Sequence, residues 1–414
     1  MHFAASCADW RSAMSDSNPT GEDRLLTASV CLLVVIGLVV VYDASFPKSG
    51  FGQFLRQSVW VGVGMLAYLV GRHLSPALLY KLAPALAIAA LGAMVAVLTP
   101  LGVERGGAAR WLKLGQIGSF EVVLQPAEFG KVALIVWLSR LLCHPNRVGT
   151  CEPARRRSRL WLAVLSVLVA AGLVVEVQND LGTALIFVGI GIGMLFVAGM
   201  PFRRVVALVA VLIIVTGFYI YRAEYRLIRM MSFRQPFAYI DTYGYQLAHS
   251  LMGIGTGGLW GTGLGLGRAK EFLPAADTDF VFTTVAEETG VIGSSIIIGL
   301  LALVALRMFH VAYKAQAMFL LLLASGVGML VGLQSLLNLY VVTGAVPTTG
   351  VPLPFISYGG SSLVSLLFSA GLVQKASTCP MLERVQGAAH ARVAGWRGNR
   401  RTPVSRSEYR RGVA

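Results

Sequence analysis

The chain has 414 residues, 56% of them hydrophobic and only 13% charged, with a net charge of +15 and a mean hydropathy of +0.69. A soluble domain carries about 25% charged residues, so an ordinary soluble fold is excluded, and repeated apolar runs of about 20 residues point to a polytopic membrane protein. The basic excess sits in short loops and a tail between those runs, which fits positive-inside topology and attraction to anionic lipid rather than nucleic acid.

Backbone polar groups inside a bilayer must be satisfied within the segment, so the runs read as helices and the fold class as all-α, with about ten transmembrane helices. Residues 1–24 are polar and read as a disordered cytoplasmic tail with no cleavable leader. The predicted spans are Leu25–Ala44, Gln57–Gly71, and Leu78–Thr99 with Pro84 inside it. The segment after the third span holds Arg105, Arg110, Lys113 and Glu121 around Trp111 and reads as interfacial; short alternating strands are not expected. The fourth span is Pro126–Leu142, followed by a strongly basic loop. The fifth is Leu160–Val177, interrupted by QNDLGTA before a sixth that ends near Gly199, and the seventh ends near Tyr221. A large extracytoplasmic loop, 222–280, then leads to spans at Val281–Leu306, Ala317–Val341 and Phe355–Gln374. The membrane domain is thus 25–375, and 376–414 is a basic, disordered cytoplasmic tail.

Counting Lys and Arg puts both termini inside. Against that rule the 222–280 loop carries Arg222, Arg226, Arg229, Arg234, Arg268 and Lys270. Arg222, Arg226 and Arg229 share one helix face, which reads either as a solvated interfacial helix or as a cationic surface for a pyrophosphate. Five cysteines without metal spacing and six scattered histidines without HExxH give no metal centre.

Several polar groups are candidates for chemistry. Glu128 and Lys131 stand i, i+3 after Pro126, so they can pair, as packing or as part of a site. Asp180 caps a turn or serves a site. Gln334 and Asn338, one turn apart in the ninth span, read as interhelical hydrogen-bonding groups. GAVPTTGVPLPFISYGGSS, with Ser357, Ser361 and Ser362, reads as irregular backbone walling a cavity, without GxSxG or a nearby histidine. Charge concentrates in KEFLPAADTDFVFTTVAEE, 270–288. There Asp279 either caps the eighth span or acts as a general base, with Asp277 favouring its protonated form. A helical wheel places Glu287 within roughly 80° of Asp279 and turns Glu288 the opposite way.

These motifs together resemble the SEDS family (shape, elongation, division and sporulation), the FtsW/RodA proteins of bacterial cell-wall synthesis. In family order stand VVVYDAS at 39–45, RW at Arg110–Trp111, QPAEFGK at 125–131, QNDLGTA at 178–184, GYQLAHSLMGIGTGGLWGTGLG from Gly244, FLPAADTDFVF at 272–282, EE at 287–288 and PTTGVPLPFISYGGSS at 347–362. The resemblance implies a peptidoglycan glycosyltransferase that polymerises lipid II at the outer face of the cytoplasmic membrane. Asp279 matches the family's essential aspartate, Glu128 and Lys131 its QPxExxK pair, Arg110 its RW arginine and Asp180 its QPDLGT aspartate. Asp279 is therefore expected to be catalytic, with Arg110, Glu128, Lys131, Asp180, Lys270, Glu287 and Ser357 binding substrate. No specific cofactor is implied, and a divalent cation, Mg or Mn, is an alternative aid to Arg110 at the leaving group. The implied partners are a class B penicillin-binding protein transpeptidase and other divisome membrane proteins. GLWGTGLGLGRAKEFLP looks more like the FtsW-like, division-associated branch, at the septum, than the RodA-like branch; a lipid II flippase is the rival activity. The chain departs from the family at Asp277 (usually histidine), Asn179 (usually proline, and read here as relaxing a turn) and Asp43 (usually serine).

Overall fold

The computed structural model describes residues 22–378, except 106–107, 118–119, 144–156, 222–223 and 316. The two expected disordered tails therefore lie outside the described residues, apart from a few residues at their edges. Three helices come first: α1 (Arg24–Ser49), α2 (Gly52–His73) and α3 (Pro76–Ala96). Asp23 starts α1 by accepting from the Leu26 N–H at 3.0 Å. Ser75 starts α3 in the same way, with Pro76 in the first turn where its missing N–H costs nothing. After a short sheet come α4 (Pro126–Leu142), α5 (Arg157–Gln178), α6 (Leu181–Val197) and α7 (Phe202–Tyr221). The 222–280 loop holds α8 (Glu224–Arg234), α9 (Tyr245–Gly257) and α10 (Ala269–Phe272). The chain closes with α11 (Val281–Lys314), α12 (Met318–Val342) and α13 (Gly360–Thr378).

Ten of these helices have 17 residues or more, matching the predicted span count, and six are long and apolar enough to cross a membrane by length and composition. The helices differ in what surrounds them. In α4, 13 of 17 residues are buried, and in α12, 17 of 25, whereas α3 buries 3 of 21. The bundle centre is thus α4, α12 and α13, in the last of which 13 of 19 residues are buried, and α3 leaves most of its surface exposed.

Three expectations change. The segment after α3 is a three-stranded antiparallel sheet, β1 (Gly102–Arg105), β2 (Ala108–Ile117) and β3 (Phe120–Leu124), in the order β1-β2-β3. Gly102 pairs with Leu112 and Lys113 with Val123, and Lys113 also binds Glu121 at 2.7 Å. Here cross-strand pairing satisfies a backbone too polar to bury. The eighth span runs past Leu306 to Lys314 and breaks at Gly290 (φ 64°). The tenth begins at Gly360 rather than Phe355, because 354–358 forms a turn with Phe355 at φ 65°. Arg222 lies outside the described residues, as do the side chains of Arg226 and Arg229.

Helices α2 and α13 cross through small residues. A methyl on Gly71 would lie 2.5 Å from the Phe368 carbonyl oxygen, and one on Gly371 would strike the Tyr68 carbonyl. Gly371→Val should destabilise the bundle by about 1–3 kcal/mol through overpacking. Gly92→Val, where nothing lies within 4 Å, should not. Thermal unfolding of the two purified variants in one detergent checks this.

Candidate functional site

The loop Leu273–Phe280 enters α11, and three partners hold its carbonyls in succession. The Tyr358 N–H donates to the Asp277 carbonyl at 2.8 Å. Ser357 Oγ donates to the Thr278 carbonyl at 2.7 Å. Asn338 Nδ2 donates to the Asp279 carbonyl at 2.8 Å and also to the Val351 carbonyl at 2.8 Å. The non-helical segment 343–359, rich in glycine and proline, thus lies along the loop and is tied to it. Ser357 Oγ accepts from the Leu353 N–H at 2.8 Å as well, so its hydroxyl serves the segment's own turn.

With its backbone held, the Asp279 carboxylate is left open. It makes no hydrogen bond to any described residue. It does not cap α11, whose N-cap is Phe280 with no side-chain bond. Gly350 (φ 70°) passes beside it, and a Cβ there would lie 3.3 Å from Asp279 Oδ2. Although the side chain is partly exposed, burial pushes its pKa up to about 6. The negative charge of Asp180 adds to the rise, Arg110 opposes it, and Asp277 raises it further. Four residues singled out from sequence therefore share one field.

The neighbours are more committed. Asp180 caps α6 with both oxygens, accepting from the Thr183 N–H at 2.9 Å and the Thr183 hydroxyl at 2.8 Å. Arg110, on β2, donates from Nε to the Gln178 carbonyl at 2.8 Å and from Nη2 to the Asn179 carbonyl at 2.9 Å. These are the carbonyls at the end of α5, where a cation suits the helix dipole.

Glu128 and Lys131 form the i, i+3 pair expected, at 2.8 Å, with side chains 2% and 1% exposed. Lys131 also donates to Gln334 Oε1 at 3.0 Å, and Gln334 Nε2 donates to the Pro352 carbonyl at 3.0 Å. This relay stands behind the 343–359 wall and supports it. Gln334 thus makes the expected interhelical bond, to Lys131 on α4, and the one-turn spacing of Gln334 and Asn338 lets both also donate to that segment.

Glu287 and Glu288 do not point opposite ways: a Cβ on Gly267 would lie 2.9 Å from a carboxylate oxygen of each, and both grip the loop wrapped round α11. Glu287 accepts from the Arg268 and Ala269 N–H groups, each at 2.9 Å. Glu288 accepts from the Gly265 and Gly267 N–H groups at 3.0 and 3.1 Å. Lys270 Nζ bridges Glu288 and Asp43, each at 2.7 Å. Burial disfavours the Lys270 ammonium, and the two carboxylates more than offset that, so its pKa is raised. Asp279 precedes the first turn of α11, so a helical wheel does not extend to it. Beside Glu287 a separate pocket of about 280 Å³ is lined by His249, Met252, Arg268 and Phe272 among others.

The family model for the FtsW, RodA and SpoVE cell cycle proteins matches residues 23–380. The chain belongs to the FtsW/RodA/SpoVE family. It is 38% identical over 365 residues to a probable peptidoglycan glycosyltransferase FtsW of Thiomicrospira cyclica, covering 85% of this chain and 91% of that one. It is 34% identical to the stage V sporulation protein E of Bacillus subtilis, covering 86% and 97%. A chain from a solved peptidoglycan synthase complex superposes with a TM-score of 0.72 at 31% identity, covering 86% of this chain and 98% of that one. The rod shape determining protein RodA of Thermus thermophilus gives 0.63 at 30%, covering 86% and 97%.

The departures from the usual FtsW/RodA motifs now have structural content. Asn179 sits at φ 48°, in the left-handed region. Proline, locked near −65°, cannot adopt it, so the residue does more than relax a turn: it sets the carbonyl that Arg110 grips. Asp43 supplies the second carboxylate to Lys270. Asp277 adds negative charge beside Asp279.

A base must be ionised, so activity that depends on Asp279 should fall as pH drops through about 6. Asp277→Asn removes a charge that favours the protonated form, so the acid limb of the pH–rate profile should move down. Separately, Lys131→Met leaves Glu128 buried and unpaired and should destabilise by about 3–5 kcal/mol. The double variant Glu128→Gln, Lys131→Met should recover much of that, as read by thermal unfolding.

Proposed function

We propose that this chain is a peptidoglycan glycosyltransferase that polymerises lipid II into glycan strands, in septal wall synthesis. The observation that carries the chemistry is the open carboxylate of Asp279 on a loop whose carbonyls are held one after another, with Arg110 in its field. A carboxylate with a pKa of about 6 is mostly ionised near neutral pH and still basic enough to take a proton.

Asp279 takes the proton from the acceptor sugar hydroxyl. The oxygen attacks the anomeric carbon of the donor sugar from the face opposite its pyrophosphate. The bond from that carbon to the phosphate oxygen breaks, its electron pair leaves with the lipid pyrophosphate, and the anomeric configuration inverts. Arg110 stabilises the departing charge. Among the described residues no three His, Cys, Asp or Glu side chains converge as a metal site. A divalent cation would therefore take most of its ligands from pyrophosphate and water, as Mg²⁺ commonly does.

Orientation follows from charge. Arg72, Arg140, Arg159, Arg203, Arg204, Arg307 and Lys314 lie at one set of helix ends, so that side is cytoplasmic and Asp279 faces outward. The division-associated assignment rests on the FtsW names of close relatives and on the GLWGTGLGLGRAKEFLP segment. A class B penicillin-binding protein is the partner, by analogy with the synthase complex that the fold matches.

Purified protein reconstituted with that partner should polymerise lipid II. Asp279→Asn should lower the rate by about 10²–10⁴-fold, and full activity would remove the base assignment. Arg110→Ala should slow turnover and, because the Gln178 and Asn179 carbonyls lose their donor, lower the unfolding temperature as well. Headgroup translocation without polymer would instead support a flippase.

A further inference from the structure

Two layers of ion pairs bracket α1 and α11. At one end Arg307 Nη2 binds Asp23 at 2.8 Å. At the other, Lys270 joins Asp43 to Glu288. Asp43 lies 20 residues beyond Asp23, and Glu288 lies 19 residues before Arg307. At 1.5 Å per residue both distances come to about 30 Å, the thickness of a hydrocarbon core. Two helices running in opposite directions thus give the same ruler, and the Asp43–Lys270–Glu288 layer marks the membrane boundary on the Asp279 side.

Residues 258–267, GLWGTGLGLG, are bonded to α11 at that boundary. The Gly290 break frees the Val291 and Ile292 N–H groups, which donate to the Gly258 and Leu259 carbonyls at 3.0 and 3.4 Å. The Thr262 and Gly263 N–H groups donate to the Glu287 and Glu288 carbonyls at 2.9 and 3.1 Å. The Gly265 and Gly267 N–H groups reach the Glu288 carboxylate. Positive φ at Gly258, Gly261, Gly263 and Gly265 folds the turn tightly enough to make these bonds. Its side chains point the other way: Leu259, Trp260, Leu264 and Leu266 are 65, 81, 74 and 70% exposed. They continue a face of α11 where Val291, Ile292 and Ile296 are also exposed.

Irregular backbone is tolerated at membrane depth when protein satisfies it, and tryptophan favours the interface. We infer that residues 258–267 form a turn seated in the acyl-chain boundary of the bilayer, lipid being the partner of its apolar side chains. Lys270 ties this seat to α1.

The test uses the full chain alone in vesicles, lacking its native cysteines, with one cysteine at position 264 carrying an environment-sensitive dye. Reference cysteines stand at 241, in the outer loop, and at 298, on the exposed face of α11. The label at 264 should lose fluorescence to lipids brominated along their acyl chains, as at 298, and should resist aqueous iodide, unlike 241. Quenching by iodide as at 241 would overturn the inference and leave the turn for a protein partner. Protection from both quenchers would overturn it too, by showing a second copy on the patch. Where the cysteine-free chain does not fold, Trp260→Phe in the native chain gives the same readout: it should remove part of the bromolipid-quenchable tryptophan emission, and no change would overturn the inference. Neither readout depends on enzymatic activity, so the seat and the chemistry fail separately.

Discussion

Asn338 donates both hydrogens of its side-chain amide to backbone, one to the Asp279 carbonyl and one to the Val351 carbonyl. That one side chain joins the α12 core helix, the loop that presents Asp279 and the non-helical segment 343–359. The constraint behind it is general. A chain that leaves helical geometry among transmembrane helices must find a partner for each carbonyl and N–H, since water is scarce there. Gln334, Ser357 and Tyr358 meet the same need at neighbouring positions. Because the backbone bonds are carried by these groups, the Asp279 carboxylate is not required for structure and is left for chemistry.

Most other polar side chains singled out from sequence turn out to be occupied. Asp180 is a cap, the Glu128–Lys131 pair supports the wall, and Glu287, Glu288 and Lys270 hold a glycine-rich turn to α11. Each of them holds a piece of backbone or a helix near the site. Arg110 stands between the classes: two of its nitrogens hold the end of α5, and its charge still acts on Asp279. This division explains how a protein with 13% charged residues can concentrate charge near one boundary without unpaired charge dominating it.

The helices were legible because 20-residue apolar runs have few alternatives, and the i, i+3 pairing of Glu128 with Lys131 followed from helical spacing alone. Asp279 was legible as charge at the head of an apolar helix, and the family motifs narrowed four carboxylates to one. What could not be read was non-local. The sheet at 102–124 depends on strand pairing within a segment whose charges masked its alternation. The destination of Glu287 depended on how the 258–267 turn wraps α11, and the left-handed Asn179 on the carbonyl that Arg110 needs. Helical periodicity carries no information about either.

The central claim is that Asp279 is desolvated and unbonded, ready to take a proton. Infrared difference titration of the reconstituted protein, wild type minus Asp279→Asn, isolates the carbonyl stretch of that one protonated carboxyl. The structure predicts a midpoint of about 6. A midpoint near the ordinary aspartate value of 3.8 would mean a solvated or ion-paired carboxylate and would contradict it.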